Sequence, residues 1–468
     1  MSTTPIHNVK LVQPPMSDGY HGVSRSKDYP SLGLLSIATY LKHKDPSVQV
    51  EILDGEVVSL EKVETQTNGD IVGISVNILN YKNAIEIAKK AKESGATVIF
   101  GGAHAIALAD VILRNREFVD TVVTGEGEVA LADIIAGKPY KQICNLCYRN
   151  NGRVIKTPPL LQNLDSLPFP DRTFVNQDIY FQNFARQRPW CHYKKPALIY
   201  SQKGCLWRVK TGGCLFCGRM DAGWRARSPE KVWEEISQLV SEHGVDYIND
   251  VSGSIAGDRT WLKYLCETKP PDVNPALEVY ACAHELDNKV IDIFTKLNVY
   301  KVFLGVESGT NVMLQRIGKP PLAYCHLNVL RALNSRGIKA TLGVVIGAPG
   351  ETEETIRQTV NHIERLVEIG NVETISCSIL VPVPGSQAYS MILQHPELKE
   401  KYSSQDDVEA TELEKDWLEY FCFIDYPSAR EAVEEILALA PLRSSMALAK
   451  QTRSMVKSNT KNGCAVNY

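Results

Sequence analysis

No apolar run in this 468-residue chain approaches the roughly 20 residues needed to cross a bilayer, so no membrane span is expected. Charge of one sign is also missing. The 51 Lys and Arg against 54 Asp and Glu leave a net charge of -3, which gives no overall pull toward nucleic acid. The opening Met1-Ser-Thr-Thr-Pro5 has no basic start followed by an apolar stretch, so no secretory leader is read there and the cytoplasm is the expected compartment. Cysteine is not scarce: there are twelve. Under reducing conditions clustered cysteines point to metal binding or catalysis rather than to disulfides. Cys191, Cys266, Cys282, Cys325, Cys377, Cys422 and Cys464 stand alone and read as small buried hydrophobes. Two clusters remain, Cys144/Cys147 and Cys205/Cys214/Cys217.

From Val9 to about Ile135, short β-rich runs (Val9-Lys-Leu-Val12, Val48-Gln-Val-Glu-Ile-Leu53, Ile71-Val-Gly-Ile-Ser-Val76, Thr97-Val-Ile-Phe100, Thr121-Val-Val-Thr124) alternate with helix-spaced segments at 33–43, 81–94 and 107–116. Such alternation builds a parallel sheet covered by helices on both faces, with ligands bound outside the carboxyl ends of the strands. Gly101-Gly102 and Gly125-Glu126-Gly127-Glu128 fall at those ends, where a missing Cβ lets a ligand approach. Residues 141–195 carry Pro158-Pro159, Pro168-Phe-Pro170 and an aromatic, basic run, Trp190-Cys-His-Tyr-Lys-Lys195, which reads as a linker or as the lining of a substrate entrance. Six further strand-and-helix units between Ala197 and Leu380 predict a partial or full α/β barrel whose site lies at the strand carboxyl ends. The division is therefore 1–140, a linker at 141–195, a barrel at 196–390 and a small helical region with a polar tail at 391–468. In that last region the Glu-rich stretch 409–419 reads as a solvated helix face.

Cys214-Leu-Phe-Cys217 follows the first strand of the second series, with Cys205 across a Gly-containing loop. Three thiolates at a barrel mouth leave one iron of a cluster open to a substrate or cofactor, whereas a structural zinc or an electron-transfer cluster wants four protein ligands. Zinc with a distant fourth ligand, Cys191 or His192, is the competing reading. Cys144-Asn-Leu-Cys147 precedes Asn151-Gly152 and reads as a β-hairpin with structural cysteines.

Tyr200-Ser-Gln-Lys-Gly-Cys205 with Cys214-Leu-Phe-Cys217 resembles the cluster loop of radical S-adenosylmethionine (SAM) enzymes. The resemblance implies a [4Fe-4S] cluster on Cys205, Cys214 and Cys217, with Phe216 beside the adenine. Phe303-Leu-Gly-Val-Glu-Ser-Gly309 is similar to the family's fourth strand, which implies that Glu307, Ser308 and Gly309 meet the ribose or methionine part of SAM. Gly343-Val-Val-Ile-Gly347-Ala-Pro-Gly350-Glu351 is similar to its fifth, which implies adenine support from Gly347 and Gly350, and Pro382-Val-Pro-Gly385 resembles the end of the sixth. Gln13-Pro-Pro15, Tyr29-Pro-Ser-Leu-Gly-Leu-Leu-Ser36, Gly101-Gly-Ala-His104 and Gly125-Glu-Gly-Glu128 look like the Rossmann-like cobalamin-binding domain of class B members. Its expected contacts are Ser75, Asn77, Gly101, Gly102, His104, Gly125, Glu126 and Glu128. Glu56 stands where some cobalamin folds place a histidine ligand to cobalt, and His104 reads as a packing or corrin-edge residue. The chain departs from the family twice. Eight residues separate Cys205 from Cys214 in place of the usual Cys-x-x-x-Cys, which brings Trp207, Arg208 and Lys210 toward the open iron. Asp250-Val-Ser-Gly-Ser254 also lacks the paired glycines and glutamate that often hold the SAM amino group. The implied activity is a cobalamin-dependent radical SAM methyltransferase acting on an unactivated carbon of a small metabolite or natural product, reduced by flavodoxin or ferredoxin. Rearrangement, cyclisation, 3-amino-3-carboxypropyl transfer and a non-catalytic cobalamin-binding protein are the alternatives.

Overall fold

The computed structural model describes residues 8–16 and 27–441. Cys464 and most of the polar tail lie outside the described residues. Every one of the eleven described cysteines is free. Among the described residues no helix is long and apolar enough to cross a membrane.

The first sheet has seven strands: β1 (Asn8–Gln13), β2 (Gln49–Asp54), β3 (Ile71–Ser75), β4 (Thr97–Gly101), β5 (Thr121–Val123), β6 (Leu146–Asn150) and β7 (Arg153–Lys156), in the order β2-β1-β3-β4-β5-β6-β7. The first five are parallel, and β6 and β7 add an antiparallel hairpin. Alternating side chains fill two layers. Val9, Leu11 and Ile71 pack with Leu34, Ala38 and Leu131 of helices Leu32–Lys44 and Gly127–Ile135. Val12, Val72 and Ile74 face Ile87 and Ile112 of helices Tyr81–Glu93 and Ala109–Asn115. The strand order reverses between β1 and β3, so the crevice for a ligand opens outside their carboxyl ends. The β6–β7 hairpin falls in the span that the sequence assigns to the linker. It turns at Asn151 and Gly152, both with positive φ, and Cys147 is buried against the sheet.

The second sheet is wholly parallel, ordered β15-β14-β13-β12-β11-β8, from β8 (Pro196–Ile199), β11 (Tyr247–Asp250), β12 (Ala276–Cys282), β13 (Val299–Glu307), β14 (Lys339–Ile346) and β15 (Val372–Ile379). β8 and β15 are not paired with each other, so the barrel is partial. A short antiparallel pair, β9 (Gln202–Gly204) and β10 (Trp224–Ala226), stands apart at its mouth. The outer helices form for ordinary reasons. In Pro229–His243, proline opens the first turn, Gly244 at φ 63° ends the last, and Val232, Ile236 and Leu239 form the buried stripe.

The linker ties the two units together. Tyr180 of helix Gln177–Gln187 donates to Asp54 of β2 at 2.8 Å, and Phe184 packs with Tyr247 and Ala276 at the amino ends of the barrel strands. Trp190, Cys191 and Tyr193 join that same patch. The aromatic, basic run thus closes the closed end of the barrel and lines no entrance. The C-terminal region makes a second tie. Asp406, 2 % exposed at its side chain, accepts from Arg116 Nε at 2.7 Å, from Asn115 at 3.0 Å and from Tyr81, while its carbonyl meets His104 Nε2 at 2.7 Å. Helix Ala410–Phe421, expected as a solvated face, buries Leu413, Glu414, Trp417 and Leu418, because every third or fourth residue between its acidic ones is apolar.

Burial pushes the Asp406 carboxyl up, but hydrogen bonds from Arg116, Asn115 and Tyr81 outweigh burial and hold it below the ordinary carboxylate range. In the unfolded chain this group titrates near about 3.9. Its stabilising contribution is therefore full above that value and fades as pH falls toward the depressed folded pKa. Asp406→Ala should destabilise the protein by about 2–3 kcal/mol at neutral pH. The difference from wild type in thermal melts should shrink as the pH drops below 4.

Candidate functional site

The three-cysteine loop is held by backbone packing. Gly204, at φ 85°, lies so close to the carbonyl of Gly223 that any Cβ there would overlap it, and its N–H donates to Asp221 at 2.5 Å. Cys205 then caps a one-and-a-half-turn helix, Leu206–Thr211, which uses up most of the unusually long spacing. Gly212 and Gly213, at φ 90° and 93°, end that helix and return the chain to Cys214. Arg208 donates to the carbonyls of Arg219 and Asp221, so the inserted helix laces the outgoing arm of the loop to the returning one. Trp207 donates to Gly318 O at 3.0 Å and packs on His284, and Lys210 is exposed. The insert is thus a brace, and its three large side chains do not turn together toward the thiols. Farther along, Leu215 bonds to Ile317 O and accepts from Ala388 N, each at 3.0 Å.

These contacts place Cys205, Cys214 and Cys217 at the carboxyl ends of the barrel strands. Cys191 and His192 sit at the opposite ends, against Tyr247 and Tyr300, and neither can complete a zinc site. Among the described residues no trio of His, Cys, Asp or Glu stands close enough to hold a single ion. A four-iron cluster binds its thiolates at separate corners, farther apart than the ligands of one ion, and the donor set of three free thiols on one loop fits it. Burial pushes the Cys214 thiol up to about 12, against the pull of Lys319.

Glu307 ends β13 at φ 60°, a strained position for a non-glycine residue at the bulge between β13 and β14. The twist aims its carboxylate inward to Lys319 Nζ at 3.1 Å. Ser308 turns the other way, its hydroxyl 3.1 Å from Thr359, and Gly309 packs against His362. Glu307 therefore faces the mouth, while Ser308 and Gly309 lock the turn. Glu351 accepts from the N–H groups of Gly347 and Ala348 at 3.1 and 3.2 Å. Trp417 donates to Gly347 O at 2.7 Å, and Gly350 bonds to Phe421 O at 2.6 Å, so the C-terminal helix backs the glycine-rich turn. Sequence reasoning missed Cys282, Glu285 and Lys319, which also stand at this mouth. Gly318-Lys-Pro-Pro321 is a stiff turn with no periodicity, and that stiffness was the one available signal.

At the first sheet, Ser75 and Gly101 are in register at the ends of β3 and β4, and a Cβ on Gly101 would meet nothing within 4 Å. Gln13, 2 % exposed at the end of β1, has a side-chain oxygen with no partner, as a crevice built for a polar ligand requires. The other expected contacts are committed to protein. Asn77 closes a turn onto Leu79 and Asn80, Gly102 packs on Val76, and Gly125 packs on Asn145. His104 points at Asp406. Glu126 pairs with Arg225 at 2.7 Å and Lys203 at 3.4 Å, and Glu128 accepts from Ser36 at 2.7 Å.

The two carboxyl edges face each other. A cleft of about 240 Å³ between them is lined by Ile78 and Leu79 beyond β3, by Phe216 of the cysteine loop, and by Val345, Val381 and Val383 of the barrel. Its lining is mainly apolar, with Ser378 among the lining residues.

Two family models match in tandem on these two sheets: the B12 binding domain over residues 22–135 and the Radical SAM superfamily over 199–363. The chain thus carries a B12-binding domain followed by a radical SAM domain. An uncharacterized methyltransferase of Pyrococcus horikoshii is 25% identical over 401 residues, covering 82% of this enzyme and 83% of the relative. The anaerobic magnesium-protoporphyrin IX monomethyl ester cyclase of Cereibacter sphaeroides is 23% identical, covering 70% of this chain and 54% of its own length. In fold, the enzyme is similar to the radical S-adenosylmethionine methyltransferase TsrM of Kitasatospora setae, solved with cobalamin and a [4Fe-4S] cluster bound. That likeness has a TM-score of 0.64 and 17% identity, and covers 83% of this chain and 78% of the other.

Single Ala replacements at Cys205, Cys214 and Cys217 should each abolish most of the iron bound after anaerobic reconstitution, measured as iron per chain and as visible absorbance. Cys191→Ala should retain the wild-type iron content, and loss of iron in that variant would instead support a fourth protein ligand.

Proposed function

We propose that this radical SAM enzyme transfers a methyl group to an unactivated carbon of a small metabolite or natural product. The observation that carries the reading is the apolar cleft in which the carboxyl edge of the cobalamin-binding sheet meets that of the barrel. When bound, the cluster and SAM supply a carbon-centred radical and cobalamin supplies a methyl carrier. Cys205, Cys214 and Cys217 would hold the cluster and leave one iron for SAM. Phe216 would flank the adenine, the 347–350 turn would support it from behind, and Glu307 would receive the ribose. Gln13, Ser75 and Gly101 line the crevice suited to the corrin. Ile78, Leu79, Val345, Val381 and Val383 keep water from the reacting carbon, which protects a radical from quenching.

The likeness to a methyltransferase along most of both chains supports methyl transfer. The likeness to a cyclase supports a second reading, ring closure with the same cofactors. An external flavodoxin or ferredoxin is the proposed reductant, and the eleven free thiols among the described residues suit a reducing cytoplasm.

The test supplies SAM with a deuterated methyl group to the reconstituted, cobalamin-loaded enzyme and a panel of candidate substrates. Methyl transfer predicts a product heavier by the labelled methyl, with 5′-deoxyadenosine and S-adenosylhomocysteine formed together. A product that gains no label, with 5′-deoxyadenosine still formed, would replace methyl transfer by the cyclase reading.

A further inference from the structure

The outer side of the cysteine loop carries features that the site itself does not use. The inserted helix Leu206–Thr211 commits Trp207 and Arg208 to protein and leaves Val209, 57 % exposed, and Lys210 in solvent. Helix Asn311–Arg316 buries Met313 and Leu314 and exposes Val312, Gln315 and Arg316. The two are bolted together at the 317–318 turn. Trp207 donates to Gly318 O, Leu215 N donates to Ile317 O at 3.0 Å, and a Cβ on Gly318 would stand 2.6 Å from Gly213 O. A third element joins through Asn311, whose side chain accepts from Ala323 N at 3.0 Å and so brings Tyr324 to the same rim. Val312 is 54 % and Tyr324 62 % exposed. Large apolar side chains left in water on three linked elements mark a surface for a partner.

The charge exposed on this rim is of one sign. Residues 206–213 and 308–350 contain no Asp or Glu. The carboxylates that flank the second stretch, Glu307 and Glu351, are buried. Asp221, on the returning arm of the cysteine loop, is taken up by Arg208 and Arg219, and Asp287, beyond His284, by Arg259. Lys210 and Arg316 stand exposed among the apolar side chains. A chain of net charge -3 has no overall pull on an anionic protein, so attraction must come from a local field of this kind. An apolar patch set among cations, with the carboxylates withdrawn, is complementary to an acidic partner. Its position says what that partner delivers. Cys205 opens the insert and Cys214 closes it, so one short helix separates a protein seated here from two of the cluster ligands.

We propose that this rim is the docking surface for an acidic one-electron carrier, a flavodoxin. Val209, Val312 and Tyr324 meet the apolar edge of its flavin, and Lys210 and Arg316 meet the carboxylates around that edge. The inference rests on the radical SAM reading and gives the external reductant a place and a set of residues. The apolar half of the patch favours a carrier whose redox group is an exposed aromatic ring. One electron leaves the fully reduced, anionic flavin, which becomes a neutral radical, and enters the cluster, whose charge falls by one; no proton moves. Redox encounters of this kind use small interfaces, below about 1,200 Å² in total, so a patch of a few side chains is enough. Cations at such a rim act mainly on the association rate.

The test uses the anaerobically reconstituted full chain, a fully reduced flavodoxin and, as a reductant that needs no docking surface, dithionite. Cluster reduction is followed as loss of visible absorbance after rapid mixing, and iron per chain is measured for every variant. Lys210→Glu combined with Val312→Glu should slow reduction by flavodoxin about tenfold at low salt and leave the dithionite rate within about twofold. Tyr324→Glu, on a helix outside the cysteine loop, should act in the same direction. Lys89→Glu makes the same charge change on an exposed helix of the first sheet and should leave both rates unchanged. Added salt should slow the wild type with flavodoxin more than the double variant. Wild-type rates in all the rim variants, or equal losses with both reductants, would overturn the assignment. Loss of iron in the rim variants would overturn it as well, by making these side chains part of cluster assembly. A wild-type cluster that dithionite reduces and flavodoxin does not would overturn the choice of partner. Bound iron that neither reductant can reduce would instead strike the radical SAM reading itself.

Discussion

The site depends on backbone meeting backbone at the root of the cysteine loop. Gly204 lies against the carbonyl of Gly223, and Arg208 grips two carbonyls of the returning arm, so backbone contacts hold the loop that carries the thiols. A loop with a helix inserted between its first two ligands would otherwise lose much freedom on binding. Because the helix is capped by two left-handed glycines and pinned at Trp207, that entropy is already removed in the folded protein. The same pins reach across to the 317–319 turn and align the charged side of the mouth with its sulfur side.

A second constraint is that two parallel sheets present the same kind of edge to each other. Each has its ligand side at the strand carboxyl ends, so a shared cleft forms only if those ends are turned face to face and kept there. Tyr180 on Asp54, Arg225 on Glu126 and the cluster of bonds around Asp406 do this from three sides. Glu126 is pushed up by burial, but Arg225 and Lys203 prevail and keep its carboxyl below the usual range, so the pair stays ionised across the junction.

What the sequence shows and what it hides follow from the reach of each interaction. Cysteine spacing, strand periodicity and the glycines at strand ends are local, and they located the cluster loop, the two sheets and the turn at 347–350. The pairing of β6 with β7 was legible at Asn151-Gly152, yet not which sheet the hairpin would join. Glu285 and Lys319 were invisible, because their neighbours come together only when β12, β13 and the cysteine loop close on one another. The partners of His104 and Glu126, Asp406 and Arg225, are distant in sequence, so these contacts could not be read from the motifs. The acidic composition of 409–419 hid an apolar stripe that only the helical period reveals.

The segment from Ser404 to Phe421 binds Asn115, Arg116 and Tyr81 on one unit and the 347–350 turn on the other. It is synthesised after both sheets. The residues of this tie therefore leave the ribosome only after the strands of both units it joins.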